Sequence, residues 1–244
     1  MNFKKLILNP KLYANIAYKR IRNRVRVLFY RGDLVVCEIC NWQGKKFFEG
    51  CCPKCNSLPR TRLIPFSLAH FKLLNDTPKL LHVAPNVNEF NYIKAKVAPL
   101  DSYDRLNIRP VKHINIVQDL TNTNLKEFSY DLAIAWHVLE HIPKDQQAIA
   151  EVYRLLKKGG HFLVSVPIYP LENTTTFEDV NLPYEDYERI HGHYDHCRSC
   201  GLDYYKRFEA IGFKVSELLV KDLETEFVDR FGLRTDHVVW CFTK

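Results

Sequence analysis

Glycine is missing from a long central interval of this chain, with none between Gly50 and Gly159. Across that interval the absence excludes a glycine-rich turn, the usual means of bringing bare backbone against a ligand. No apolar run approaches the roughly 20 residues that a membrane-spanning helix needs. Leu6 to Leu8 is also too short for the apolar stretch of a signal peptide. A cytoplasmic protein is therefore expected. Acidic residues are absent from positions 1–31, which carry nine Lys or Arg. The rest of the chain holds 26 basic against 28 acidic side chains, so the net charge of +7 belongs to the N-terminal segment alone. A composition of 46% apolar and 26% charged residues over 244 positions is that of a globular protein of one large or two small domains.

Pro10 can open a helix running to Tyr30, with Leu12, Ile16, Ile21, Val25 and Leu28 forming an apolar stripe and Lys19, Arg20, Arg22, Arg24 and Arg26 on its flanks. Residues 1–32 thus read as a basic amphipathic helix. It could dock on the following domain, lie on an anionic membrane surface, or track an RNA backbone.

Residues 33–59 contain Cys37-x2-Cys40 and Cys52-x2-Cys55, separated by eleven residues. This is the spacing of two knuckles closing on one tetrahedral ion, and in a reducing compartment four paired thiols favour zinc over disulfides. Cys51 breaks the two-residue spacing and reads as a free thiol. Trp42, Phe47 and Phe48 supply apolar surface for so small a module.

From residue 60 onward strands and helices alternate. Arg60 to Leu74 reads as a helix with a broad apolar face, Lys79 to Ala84 as a buried strand, and Val87 to Lys96 as a helix. Ser102–Asn107, Ile114–Gln118, Leu132–Trp136 and His161–Val166 are further short strands. A helix from about Asp145, with Ile149, Val152, Leu155 and Leu156 on one side, is expected to stop at Gly159-Gly160. A helix over Gly201–Ile211 and strands over Phe213–Val220 and Val238–Thr243 close the chain. The pattern predicts a Rossmann-like α/β sheet of seven strands, the last antiparallel, and in such sheets ligands sit beyond the carboxyl ends of the strands. His137, Glu140 and His141 fall at one such end.

The order of parts resembles the class I S-adenosylmethionine-dependent methyltransferases, through DLAIAWHVLEHI, VYRLLKKGGHFLVSVP and the late AIGFKV. It is similar in particular to a bacterial branch in which paired CxxC knuckles and an SLPRxR-like helix start, here Ser57 to Arg62, precede a first strand reading LLHxAP, here Leu80 to Pro85. The resemblance implies S-adenosylmethionine as cofactor. It assigns His82, Ala84, Pro85 and Asn86 to the methionine end, where this branch lacks the usual glycines. Asn107 stands where an acid normally holds the ribose, with Asp104 as its rival. Asp119 and Leu120 are assigned to the adenine, and Trp136, His137 and Glu140 to the wall beside the cofactor.

If the methyl goes to a hydroxyl, His137, His141 and His196 are the candidate catalytic bases, with Glu140 orienting one of them. The family's HVLEH pattern also allows that the Glu and second His only shape the loop. Residues 168–200 form an acceptor-side lid insertion rich in Tyr, His and acid, which suits a small-molecule or glycan hydroxyl better than a phosphate backbone. His191, His193, His196, Cys197 and Cys200 within it are candidate ligands for a second metal. The alternatives are a ribosomal RNA methyltransferase guided by the basic arm, and a non-catalytic scaffold of the same fold.

Overall fold

The computed structural model describes residues 25–74, 78–97 and 99–244. Most of the expected basic helix lies outside these residues; its end, residues 25–29, is helical. Strands β1 (Arg31–Cys37) and β2 (Trp42–Gly44) form an antiparallel hairpin. Helix α1 (Pro59–His70) leads to β3 (Leu80–Val83), α2 (Val87–Lys94), β4 (Tyr103–Asn107), β5 (Ile116–Val117) and β6 (Tyr130–Trp136). Then follow α3 (Asp145–Leu155), β7 (Leu156–Ser165), α4 (Tyr187–His191), α5 (Lys206–Glu209), β8 (Lys214–Leu219), α6 (Thr225–Phe231) and β9 (Val238–Thr243).

The large sheet has the order β5-β4-β3-β6-β7-β9-β8, parallel throughout except for β9. Both faces are covered. Along β6, Tyr130, Ala133 and Ala135 enter one core with Ile149, Val152 and Leu155 of α3. Leu132, Ile134 and Trp136 enter the other, with Leu63, Ile64 and Leu68 of α1 and Val228 of α6. Each such fully buried aliphatic side chain contributes roughly 1.5–3 kcal/mol. This two-sided burial is why β6 reads as a continuous apolar run.

Three expectations change. α3 ends at Leu155, and the paired glycines lie inside β7 rather than capping the helix. Gly159 takes φ +78°, and a Cβ on Gly160 would lie 2.9 Å from the Lys157 carbonyl, so the pair forms a strand irregularity that shifts the β6–β7 register between Tyr130 and Leu132. The helix over Gly201–Ile211 is reduced to a tight turn at Leu202–Tyr205 followed by the four residues of α5. α6 was not foreseen between the last two strands. Its seven residues are too few for a periodic signal, and it is held by tertiary packing of Phe227 and Phe231 on Phe66, with ring centroids 4.9 and 4.6 Å away.

Arg62 ties these parts together. It is 1% exposed and stacks 3.8 Å from the Phe47 ring centroid. Its guanidinium donates to the carbonyls of Ser57 (2.6 Å), Gly50 (2.9 Å), Phe231 (2.9 Å) and Gly232 (2.5 Å). One side chain thus joins the cysteine module, α1 and the end of α6.

Candidate functional site

A cavity of about 520 Å³ opens beyond the carboxyl ends of β3, β4 and β6. Val83 and Ala84 form its floor, Leu106, Asn107 and Ile108 one side, Gln118 to Thr121 another, and His137, Val138 and residues 141–144 the third. The turn leaving β3 needs a left-handed residue, and Ala84 supplies it with φ +47° while its N–H bonds the Leu106 carbonyl at 2.7 Å. A left-handed alanine costs about 1–2 kcal/mol relative to an ordinary backbone. Its small methyl keeps the cavity open where a glycine-rich turn would otherwise be used. His137, the first residue past β6, is likewise left-handed at φ +54°.

The structure brings Ala84, Asn107, Asp119, Leu120, His137 and His141 to this cavity. Asn107 Oδ1 accepts from Arg109 N at 3.0 Å, and Asp119 Oδ1 from Thr121 N at 2.8 Å. The other assigned residues point elsewhere. His82 is fully buried on the opposite side of β3, bonded through Nδ1 to the Tyr103 hydroxyl at 3.0 Å. Burial holds it down at about 3 and pushes nearby Glu89 up to about 7, so their 3.7 Å approach is not an ion pair at neutral pH. The Pro85 carbonyl accepts from His113. Asn86 caps α2, accepting from Asn88 N and Glu89 N. Trp136 donates from Nε1 to the Arg60 carbonyl at 2.9 Å and packs in the α1 core. Asp104 is occupied by Tyr130 and Asn115 rather than turned to the cavity.

Glu140 is 1% exposed, and among the described residues neither carboxylate oxygen has a hydrogen-bond partner; the same is true of both ring nitrogens of His137. His137 Nδ1 and His141 Nε2 stand 3.6 and 3.7 Å from Glu140 Oε1. Burial pushes Glu140 up to about 8 and His137 well below the usual imidazole value, with the Arg60 charge lowering both. Two buried groups are therefore held near the cavities with unused polar atoms.

A second cavity, about 730 Å³, lies on the other side of His137. The cysteine module (Phe47, Gly50), the start of α1 (Arg60), the lid (Tyr169, His191, His196) and the segment after α6 (Arg234, His237) line it. His137 lines both cavities.

The methyltransferase-domain family matches residues 55–218. The chain belongs to this methyltransferase family. A Mycolicibacterium smegmatis protein named "Probable S-adenosylmethionine-dependent methyltransferase" is 35% identical over 86 residues, which are 35% of this chain and 31% of that protein. The chain thus matches about a third of that relative's length. Two solved structures share the fold: an S-adenosylmethionine-dependent methyltransferase from Mesorhizobium loti (14% identity, 73% of this chain and 96% of that one, TM-score 0.51) and one from Archaeoglobus fulgidus (13%, 75% and 94%, TM-score 0.53).

The residues of this methyltransferase domain that sequence reasoning missed are apolar cavity walls, Leu106, Ile108, Val138 and Ile142, with Gln118, Thr121 and Lys144 at polar edges. Most directly flank assigned positions at strand ends, which was the available signal. The residues present fit S-adenosylmethionine: an apolar slot for a base, with Asn107 and Asp119 offering polar atoms at its rim. Arg198 is a buried clamp. Its guanidinium donates to the carbonyls of Leu139 (2.6 Å), Ile142 (2.9 Å) and Pro143 (3.0 Å) and to Glu178 (2.8 Å), fixing the loop that carries His141.

Outside the matched residues, apart from Cys55, the four thiols Cys37, Cys40, Cys52 and Cys55 converge, their sulfurs all within 4.8 Å of one another. Cys37 to Cys55 and Cys40 to Cys52 are each 3.7 Å. Tetrahedral zinc at about 2.3 Å from each sulfur places sulfurs about 3.8 Å apart, so the set fits the ion. Both knuckles turn through an asparagine just past the second cysteine, Asn41 at φ +55° and Asn56 at φ +61°. The lid cysteines do not join such a set: Cys200 is buried, Cys197 Sγ meets the His141 carbonyl at 3.5 Å, and His191 Nδ1 meets Ser199 Oγ at 2.9 Å.

Proposed function

We propose that this chain is an S-adenosylmethionine-dependent methyltransferase acting on a hydroxyl of a small-molecule or glycan-linked acceptor, with a structural zinc in its cysteine module. The observation that carries the reading is that two cavities meet at one side chain. His137 alone among the described residues lines both the strand-end cavity and the acceptor-side cavity. S-adenosylmethionine, when bound, supplies an electrophilic methyl group. Ala84, Asn107, Asp119 and Leu120 would hold it, leaving His137 between donor and acceptor.

The chain's own residues do the positioning, and alignment accounts for most of the rate in a displacement of this kind. Buried Arg198 locks the loop from Leu139 to Pro143, so His137 and His141 approach the cavities from a rigid wall. The ring nitrogens of His137 are buried without a partner among the described residues, and a turn of the ring toward the acceptor cavity would let its one acceptor nitrogen take the hydrogen of an acceptor hydroxyl. Tyr169, His196, His237 and Arg234 offer hydrogen bonds along the acceptor cavity, which fits a polyhydroxylated molecule. The zinc, through Arg62 and Phe47, would keep the module seated as one wall of that cavity.

Calorimetric titration with S-adenosylhomocysteine, followed by a methyl-transfer screen of hydroxylated small molecules and glycans, tests the reading. Binding that Ala84→Trp abolishes, with methylated hydroxyl products, is the expected result. No cofactor binding, or methylation confined to RNA, would overturn it.

A further inference from the structure

We propose that Glu140, His141 and His196 hold a divalent transition-metal ion in the wall between the two cavities. The ligand atoms of these three residues all lie within 4.8 Å of one another. Two imidazoles and one carboxylate form a set that binds such ions while leaving coordination positions open. His141 comes from the loop after β6 and His196 from the lid, so the site exists only because the chain brings them together, with ring centroids 4.8 Å apart.

Two independent observations point to a cation. Both oxygens of Glu140 are buried without a hydrogen-bond partner among the described residues, and its carboxylate is 1% exposed and turned toward the histidines. Both histidines also have the outer contacts typical of metal ligands, where one ring N–H is donated to an oxygen so that the other nitrogen faces the ion. His141 Nδ1 lies 3.2 Å from the Asp195 carbonyl and 3.1 Å from its carboxylate, and His196 Nδ1 lies 3.2 Å from the His191 carbonyl. Nε2 is left over on each. Metal bonds of about 2.0–2.2 Å would require only a modest inward movement of these ligands.

The location suggests a role that rests on the hydroxyl-methylation reading above. His141 lines the cofactor cavity and His196 the acceptor cavity. An acceptor hydroxyl taking an open position would lose its proton to water more readily, the electron pair of the O–H bond staying on oxygen. A neighbouring arrangement, His193, Asp195 and His196, shares His196 and is the competing seat.

The test uses the full chain with its cysteine zinc retained, titrated with Co2+ and followed by visible absorption and proton NMR. The expected result is one cobalt per chain with weak ligand-field bands, no thiolate-to-cobalt charge transfer, and two shifted imidazole N–H resonances in the unmutated protein. Glu140→Gln and His196→Ala should each weaken binding at least tenfold, and His193→Ala should not. Absence of the two resonances, cobalt appearing only in the thiolate set, or loss of binding in His193→Ala with Glu140→Gln unaffected would overturn the proposal. Cobalt bound as expected by a protein that methylates no hydroxyl supports the site and refutes only the activity assigned above. Hydroxyl methylation by a protein that binds no cobalt refutes the site alone.

Discussion

Replacing Arg62 by alanine should uncouple the cysteine module from the methyltransferase domain. The guanidinium is buried and, among the described residues, has no carboxylate within ion-pair distance; it is held by four backbone carbonyls on three separate segments. Burial disfavours its cation, and thiolate charge on the nearby cysteines would offset part of that cost. A zinc held by the four thiolates would carry a formal charge of −2, which the arginine would partly balance. Hydrogen bonds from a charged donor contribute about 1.5–3 kcal/mol each, but bonds from one rigid group are not additive. The loss is better set by the buried carbonyls left without a donor, about 1–3 kcal/mol each and less than additive, so roughly 3–5 kcal/mol in all. For a chain of this size that corresponds to a fall of roughly 6–20 °C in Tm. Arg62→Lys keeps the charge but not the planar fork, and should fall between wild type and alanine. Thermal and urea unfolding, with zinc release to a chromophoric chelator, would measure both effects. Arg62→Ala within 1 kcal/mol of wild type, with unchanged zinc release, would refute the claim that this side chain joins the two parts.

Ala84→Gly should stabilise the protein by about 1 kcal/mol, because glycine adopts the positive φ without strain; urea unfolding of the variant checks it, and a destabilised variant would contradict the strain. Arg198→Met should lower cofactor affinity about tenfold by freeing the Leu139–Pro143 loop, roughly the cost of one lost hydrogen bond to a charged group; calorimetry with S-adenosylhomocysteine is the measurement. Glu151 lies below the usual carboxylate range, chiefly through its bonds to Arg154 and despite burial, with help from Thr123. Its folded-state value is depressed, so its stabilisation is present above the unfolded value of about 4.3 and is lost as pH falls through the folded value. Glu151→Gln should therefore cost about 1 kcal/mol at pH 7 and flatten the acid limb of the stability profile, which unfolding at a series of pH values would show.

Much of the sheet was legible because its strands are buried on both faces and read as short apolar runs. β9 was located to the residue, and β6 differs from the expected Leu132–Trp136 only by two residues at its start. The four-cysteine cluster was legible because ligand spacing within a knuckle is local. Local pattern failed where tertiary contact decides: α6 depends on Phe66 beneath it, and the paired glycines look like a helix stop until their place opposite Asp131 and Lys244 is known. The same limit applied to the site. HVLEH marked a strand end, but not that His137 would line both cavities.

The sequence by itself determined the strand pattern, the family, the paired thiols and the residue types at the strand ends, since all of these depend on near neighbours along the chain. Only the tertiary structure decided where those side chains point. It turned His82 and Trp136 into the cores and used Asn86 as a helix cap. It made Arg62 and Arg198 into buried clamps, and carried His196 across from the lid to stand beside His141. The direction in which each of these polar side chains turns is set by packing between segments distant in sequence, which the local apolar pattern that marks buried strands does not encode.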